Sequence, residues 1–130
     1  MKRAIAVALG MLAWTACDGA PPPKPATLST IQEDIFKPGC SASVCHGGPG
    51  PVDGLDLQAD PFGTLVDIDS VSQPGKMRVV AGDPANSVLF QVLNGPVGRV
   101  KQMPQGVPGG LPPDDIERIK QWITDGALNN

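Results

Sequence analysis

The segment Cys40-Ser41-Ala42-Ser43-Val44-Cys45-His46 is the feature around which the rest of this chain has to fit. Two cysteines, the second followed directly by a histidine, form the arrangement that attaches haem covalently. The thiols add to the porphyrin vinyl groups, and the adjacent imidazole is set under the iron as its proximal ligand. The usual attachment spacing has two residues between the cysteines, whereas four lie between Cys40 and Cys45. On a helix, positions i and i+3 share a face, while i and i+5 diverge by about 140°. Ser41 to Val44 must therefore bulge out of any regular turn if both sulfurs are to reach one ring.

His46 is the single histidine of the chain, so nothing competes with it for the proximal site. A zinc site is the poorer alternative: Cys40, Cys45 and His46 supply three ligands, and no fourth of the right type is evident. The sixth position of an iron would call for a soft donor. Of the four methionines, two precede residue 17, which leaves Met77 and Met103. Met103 is the stronger candidate. It stands on a Gly/Pro-rich loop, is followed by Pro104, and leads into the last predicted helix. Residues 97 to 110 carry no apolar stripe, so a methionine there has little packing reason. A five-coordinate iron or another sixth ligand are the alternatives.

The third cysteine has its own explanation. Lys2-Arg3 followed by the almost wholly apolar Ala4 to Ala13 has the charged and apolar regions of a secretory signal. That run is well short of the roughly 20 residues a spanning helix needs. Thr15-Ala16 then precede Cys17, which resembles a lipoprotein processing site with Cys17 as the lipid-modified first residue. An ordinary cleaved signal with a leftover cysteine is the alternative. The expected organisation is a signal peptide over residues 1–16, a Pro-rich tether over 17–27 and one domain over 28–130. Prolines at the density of Pro21-Pro22-Pro23-Lys24-Pro25 favour an extended spacer.

Composition matters here because the domain is short of core material. The chain has 16 Gly and 15 Pro, but three Phe, two Trp and no Tyr, and one Trp lies in the signal. A core this thin gains from wrapping a large apolar ring system. Loss of Lys2 and Arg3 with the signal leaves 8 basic against 13 acidic residues, a charge of −5. No basic stripe exists, so nucleic acid is not an expected partner.

The elements follow from caps and apolar spacing. Ser29…Gln32 or Thr30…Glu33 can each serve as a capping box for a first helix, which Pro38-Gly39 ends. Asp60-Pro61 offers a cap and start for a short helix over Phe62 to Val66. Asp83 as N-cap and Pro84 at the first position open a helix through Val88, Leu89, Val92 and Leu93, which Asn94-Gly95-Pro96 stops. Asp114…Glu117 forms a capping box for the last helix, where Ile116, Ile119, Trp122 and Ile123 line one face and Gly126 suits the C-terminal cap. The expected fold is a small all-α domain of short helices and long loops, with no sheet of consequence.

Residues 31 to 126 resemble the class I c-type cytochrome domain, in the variant found in bacterial lipoproteins with a widened attachment motif. The matching residues are Ile35-Phe36, Cys45-His46-Gly47-Gly48, Gly54-Leu55-Asp56-Leu57, Gly82-Asp83-Pro84, Ser87, Leu89, Met103-Pro104, Trp122-Ile123 and Asp125-Gly126-Ala127. The resemblance implies one covalent haem c bound by Cys40 and Cys45, with His46 and Met103 as its axial ligands. It also implies a first helix that packs across the last and delivers the motif, and haem attachment outside the cytoplasm.

The leading functional expectation is a non-enzymatic, exported monohaem cytochrome. It would be lipid-anchored through Cys17 on the periplasmic or cell-surface side of a bacterial membrane and pass single electrons to redox partner proteins. The alternative is a non-redox binding or structural lipoprotein with a Cys40–Cys45 disulfide and no haem. Against it, a loop that short removes little unfolded-state entropy. A haem peroxidase or sensor would need an open distal position with a polar acid/base beside it, and no second histidine exists.

Overall fold

Thr27 opens the helical part of the molecule: its hydroxyl accepts from the Thr30 amide at 3.3 Å. The computed structural model describes residues 19 and 21–130. The expected signal segment and Cys17 lie outside the described residues. From Thr27 the chain runs through α1 (Leu28–Ile31), a π-helical turn (Gln32–Phe36) and α2 (Lys37–Gly39) without a break. The π turn has a cause in Pro38. Proline lacks the N–H for an i→i−4 bond and crowds the carbonyl four residues back. The preceding residue, Lys37, bonds instead to the Gln32 carbonyl five residues back.

The start of α1 differs from the expected capping boxes at Ser29 and Thr30. The N-cap is Thr27, and the next two amides are satisfied by the other end of the chain. Leu28 N donates to Asn130 Oδ1 at 2.9 Å and Ser29 N to the Asn130 carbonyl at 2.9 Å. A cap supplied from that far away has no local signature.

Helix α3 (Pro61–Leu65) starts as its sequence dictates: the Asp60 carboxylate accepts from Gly63 N at 2.8 Å. The helix expected from Asp83 is divided in two. Asp83 caps only a 3₁₀ turn (Pro84–Asn86), and α4 (Val88–Asn94) begins afresh after extended Ser87. Ser87 is fully buried, and its hydroxyl accepts from Val80 N at 2.8 Å while donating to the Asp83 carbonyl at 2.8 Å. Those bonds hold Ser87 out of helical geometry.

Helix α5 (Pro113–Thr124) carries Ile119, Trp122 and Ile123 fully inside. The expected capping box at Asp114 does not form. Pro112 is the N-cap, and Asp114 and Asp115 lie within the first turn, where their charge opposes the helix dipole. At the other end, Gly126 N bonds to Ile123 O at 3.0 Å and Ala127 N to Trp122 O at 2.9 Å. This is a Schellman closure around Gly126 at φ 104°.

The result is a helical domain with long loops and, among the described residues, only isolated β-bridges such as Val97 with Val100. Leu28, Ile31, Ile35 and Phe36 pack with α5, Leu89 and Leu93 of α4, Leu57, Leu65 and Val79 in one core. Part of the expected tether is tied to this core's surface. Lys24 pairs with Asp34 at 3.2 Å, and the Pro25 carbonyl accepts from Thr30 Oγ1 at 2.7 Å and from Arg118 at 3.3 Å. No helix among the described residues is long and apolar enough to cross a membrane.

Candidate functional site

Helix α2 ends by presenting Cys40, whose amide bonds to the Phe36 carbonyl at 2.8 Å. Phe36 is buried, so this carbonyl is fixed by the core, and Ser41 Oγ donates to the same oxygen at 3.0 Å. Residues 41–44 then leave the helix as a loop closed on itself. Cys45 N donates to Ala42 O at 2.8 Å and His46 N to Cys40 O at 3.1 Å. Val44, at the tip, is 82% exposed. Residues 42–44 are thus exposed, and Cys40, Cys45 and His46 on either side of them line one cavity.

Gly47 is required by this closure. A Cβ there would sit 2.2 Å from the Ser41 carbonyl oxygen and 2.8 Å from Gln58 Oε1. The segment after the motif is stitched back onto it as well: Val52 N donates to Cys45 O and Leu57 N to His46 O, both at 2.8 Å.

The two thiols are free and differ in environment. Cys40 is half-buried against the core, and burial, reinforced by the neighbouring Cys45, pushes its pKa up to about 11. Cys45 is exposed. The His46 ring is half-buried, and desolvation draws its pKa below the usual imidazole value, with the Arg78 guanidinium adding to this. The carbonyls of Val52 and Leu55 and the Asp53 carboxylate act in the opposite direction. Burial prevails, so the ring favours the neutral form that can ligate a metal. Its Nδ1 is buried with no hydrogen-bond partner among the described residues.

Met103 comes to the same place from a distant loop. Its amide donates to the Val92 carbonyl of α4 at 2.8 Å, and its side chain packs half-buried against the core. Cys40, Cys45, His46 and Met103 all line one cavity of about 500 Å³, within the usual range for cofactor pockets. Its walls are mainly apolar, with Phe36, Leu55, Leu65, Leu89 and Leu93 prominent. Met77 is not among the lining residues; it is 39% exposed and its carbonyl accepts from Val88 N.

This donor set fits a flat apolar metallocofactor. A mainly apolar space is lined by two free thiols, an imidazole biased towards its neutral form and a soft thioether. No cluster of three or more His, Cys, Asp and Glu side chains that could hold a bare metal ion occurs among the described residues. The Cys-His adjacency and the Met-Pro pair announce four of the lining residues from sequence. Arg78, which is 8% exposed and also lines the cavity, has no such signal, because one arginine between Met77 and Val79 reads as a solvated side chain.

Comparison with known proteins returns no match for this chain among family models, curated proteins or solved structures.

Proposed function

We propose that the chain is an exported, membrane-tethered monohaem c-type cytochrome that carries single electrons between partner proteins. The observation that supports this most directly is the shared cavity. Cys40, Cys45, His46 and Met103, from two segments far apart in sequence, line one mainly apolar space, which is what a covalently bound haem would need. When bound, haem supplies one-electron chemistry at an iron whose potential its axial ligands and surroundings set.

The chain's own contributions follow from the geometry. Cys40 and Cys45, both free thiols, would hold the haem through thioether bonds, an addition to its vinyl groups that needs no oxidant. His46 is kept neutral by burial and oriented by the bonds of its backbone to Cys40 and Leu57. Met103 is tied through its amide to α4, so its sulfur is carried by a packed helix rather than a free loop. Leu65, Leu89 and Leu93 exclude water from the same space. With an imidazole and a thioether both available to hold the iron, the reading is electron carriage rather than catalysis.

The test is production of the full chain in a host with cytochrome maturation machinery. A pyridine-haemochrome spectrum of one haem per chain, with Cys40 and Cys45 both closed to alkylation, is the expected result. A colourless product with two reactive thiols would sink the proposal.

A further inference from the structure

Arg78 is the one strongly buried basic side chain on the cavity wall, and no carboxylate lies within ion-pairing distance of it among the described residues. Removing a guanidinium from water is costly unless its donors are met. Here backbone oxygens meet them. The Arg78 fork donates to Thr64 O at 2.7 Å, to Gly54 O at 3.4 Å and to Asp53 O. Arg78 is itself held on both sides: its amide donates to Ile68 O at 2.8 Å and its carbonyl accepts from Leu89 N at 2.9 Å.

The clamped turn is an unusual one. Asp53 and Gly54 stand in succession at φ 56° and 66°, in the left-handed region. For Asp53 that conformation is unfavourable and persists only where its surroundings over-determine it. Val52, next to this turn, donates to Cys45 O, and Leu57, just after it, donates to His46 O. Thr64, the other end of the clamp, belongs to α3.

We propose that Arg78 is a positioning residue, its fork locking the Asp53–Gly54 turn to α3 and thereby fixing the loop that carries His46 in the cavity. Lysine cannot substitute, because a point charge does not span three carbonyls from two segments as a planar fork does.

The experiment compares the full chain with its Arg78→Lys and Arg78→Gln variants. Amide hydrogen exchange before haem loading should be at least tenfold faster at Val52 and Leu57 in Arg78→Lys, with the α5 amides unchanged. In the haem-loaded protein the same variant should shift the reduced-to-oxidised ratio at fixed potential at least threefold. That second arm rests on the haem reading; the exchange arm does not. If even the wild type takes up no haem, the proposed function fails and exchange alone decides this inference. Wild-type exchange at both amides in both variants overturns it. So does accelerated exchange with an unmoved potential, since the role would then be merely structural. Should neither variant fold, Gly54→Ala decides. It strains the same turn with open space around the new Cβ, and it must accelerate the same two amides.

Discussion

Met103 is bonded through its backbone amide to the carbonyl of Val92, at 2.8 Å, so a residue of a Gly/Pro-rich loop is registered on helix α4. The side chain is therefore separable from the placement of the loop. Met103→Ala keeps the amide bond and removes the thioether. In the haem-loaded protein it should raise the fraction of high-spin or open-site iron, read in the visible spectrum. An unchanged spectrum and potential would remove Met103 from the ligand set. The haem-free protein should lose only about 1–2 kcal/mol, because the side chain is half-buried.

The two thiols should react in a fixed order. In the haem-free protein at pH 8, Cys40, with its pKa near 11, holds only about a thousandth of its population as thiolate. Cys45 is exposed and should take up iodoacetamide first. Mass spectrometry after partial alkylation should find the first adduct on Cys45. The same burial has a consequence for stability. The folded state raises the Cys40 pKa from 9.0 to about 11, so it favours the neutral thiol. That contribution is whole below pH 9 and is lost as pH rises toward about 11. Urea midpoints should fall over this window, and the fall should be smaller in Cys40→Ser. Equal alkaline slopes in the two proteins would contradict the assignment.

Gly47→Ala tests the closure of the protruding loop. The added methyl meets the Ser41 carbonyl at 2.2 Å, a backbone atom that cannot swing aside. A loss of about 1–3 kcal/mol is expected in urea unfolding. Haem incorporation should also fall, because His46 is the neighbour of the displaced residue. Gly50→Ala, where a Cβ meets nothing within 4 Å, is the control and should behave as wild type.

Trp122 is 1% exposed, and its indole N–H donates to the Leu128 carbonyl at 2.8 Å. Trp122→Ala should cost about 3–5 kcal/mol. Trp122→Phe keeps most of the packing and loses the donor, so about 1–2 kcal/mol is expected. Unfolding monitored by circular dichroism orders the three proteins. A Phe variant as unstable as the Ala variant would mean that the hydrogen bond, not the packing, carries the residue.

Where local chemistry decides an element, the sequence announces it. Asp60 ahead of Pro61 does cap α3, and Ile119, Trp122 and Ile123 at helical spacing do form the buried face of α5. Where a partner comes from far along the chain, it does not. The first amides of α1 are met by Asn130, and α4 is cut from its 3₁₀ turn by a buried Ser87 hydroxyl whose partners only the folded chain brings near. The candidate site divides in the same way. Cys45, His46 and Met103 stand out in the sequence as candidates, and the fold brings all three to the wall of one cavity. Arg78 does not stand out, because its acceptors are main-chain oxygens, which leave no trace in residue identity.

The docking of Lys24 and Pro25 on the domain shortens the leash. On the proposed anchor at Cys17, only residues 18–23 remain between lipid and folded protein. Six residues reach at most about 20 Å, less than the roughly 30 Å depth of a bilayer's hydrocarbon. On the proposed reading, a domain so moored would stay within about that reach of the membrane surface, and its redox partners would have to meet it there.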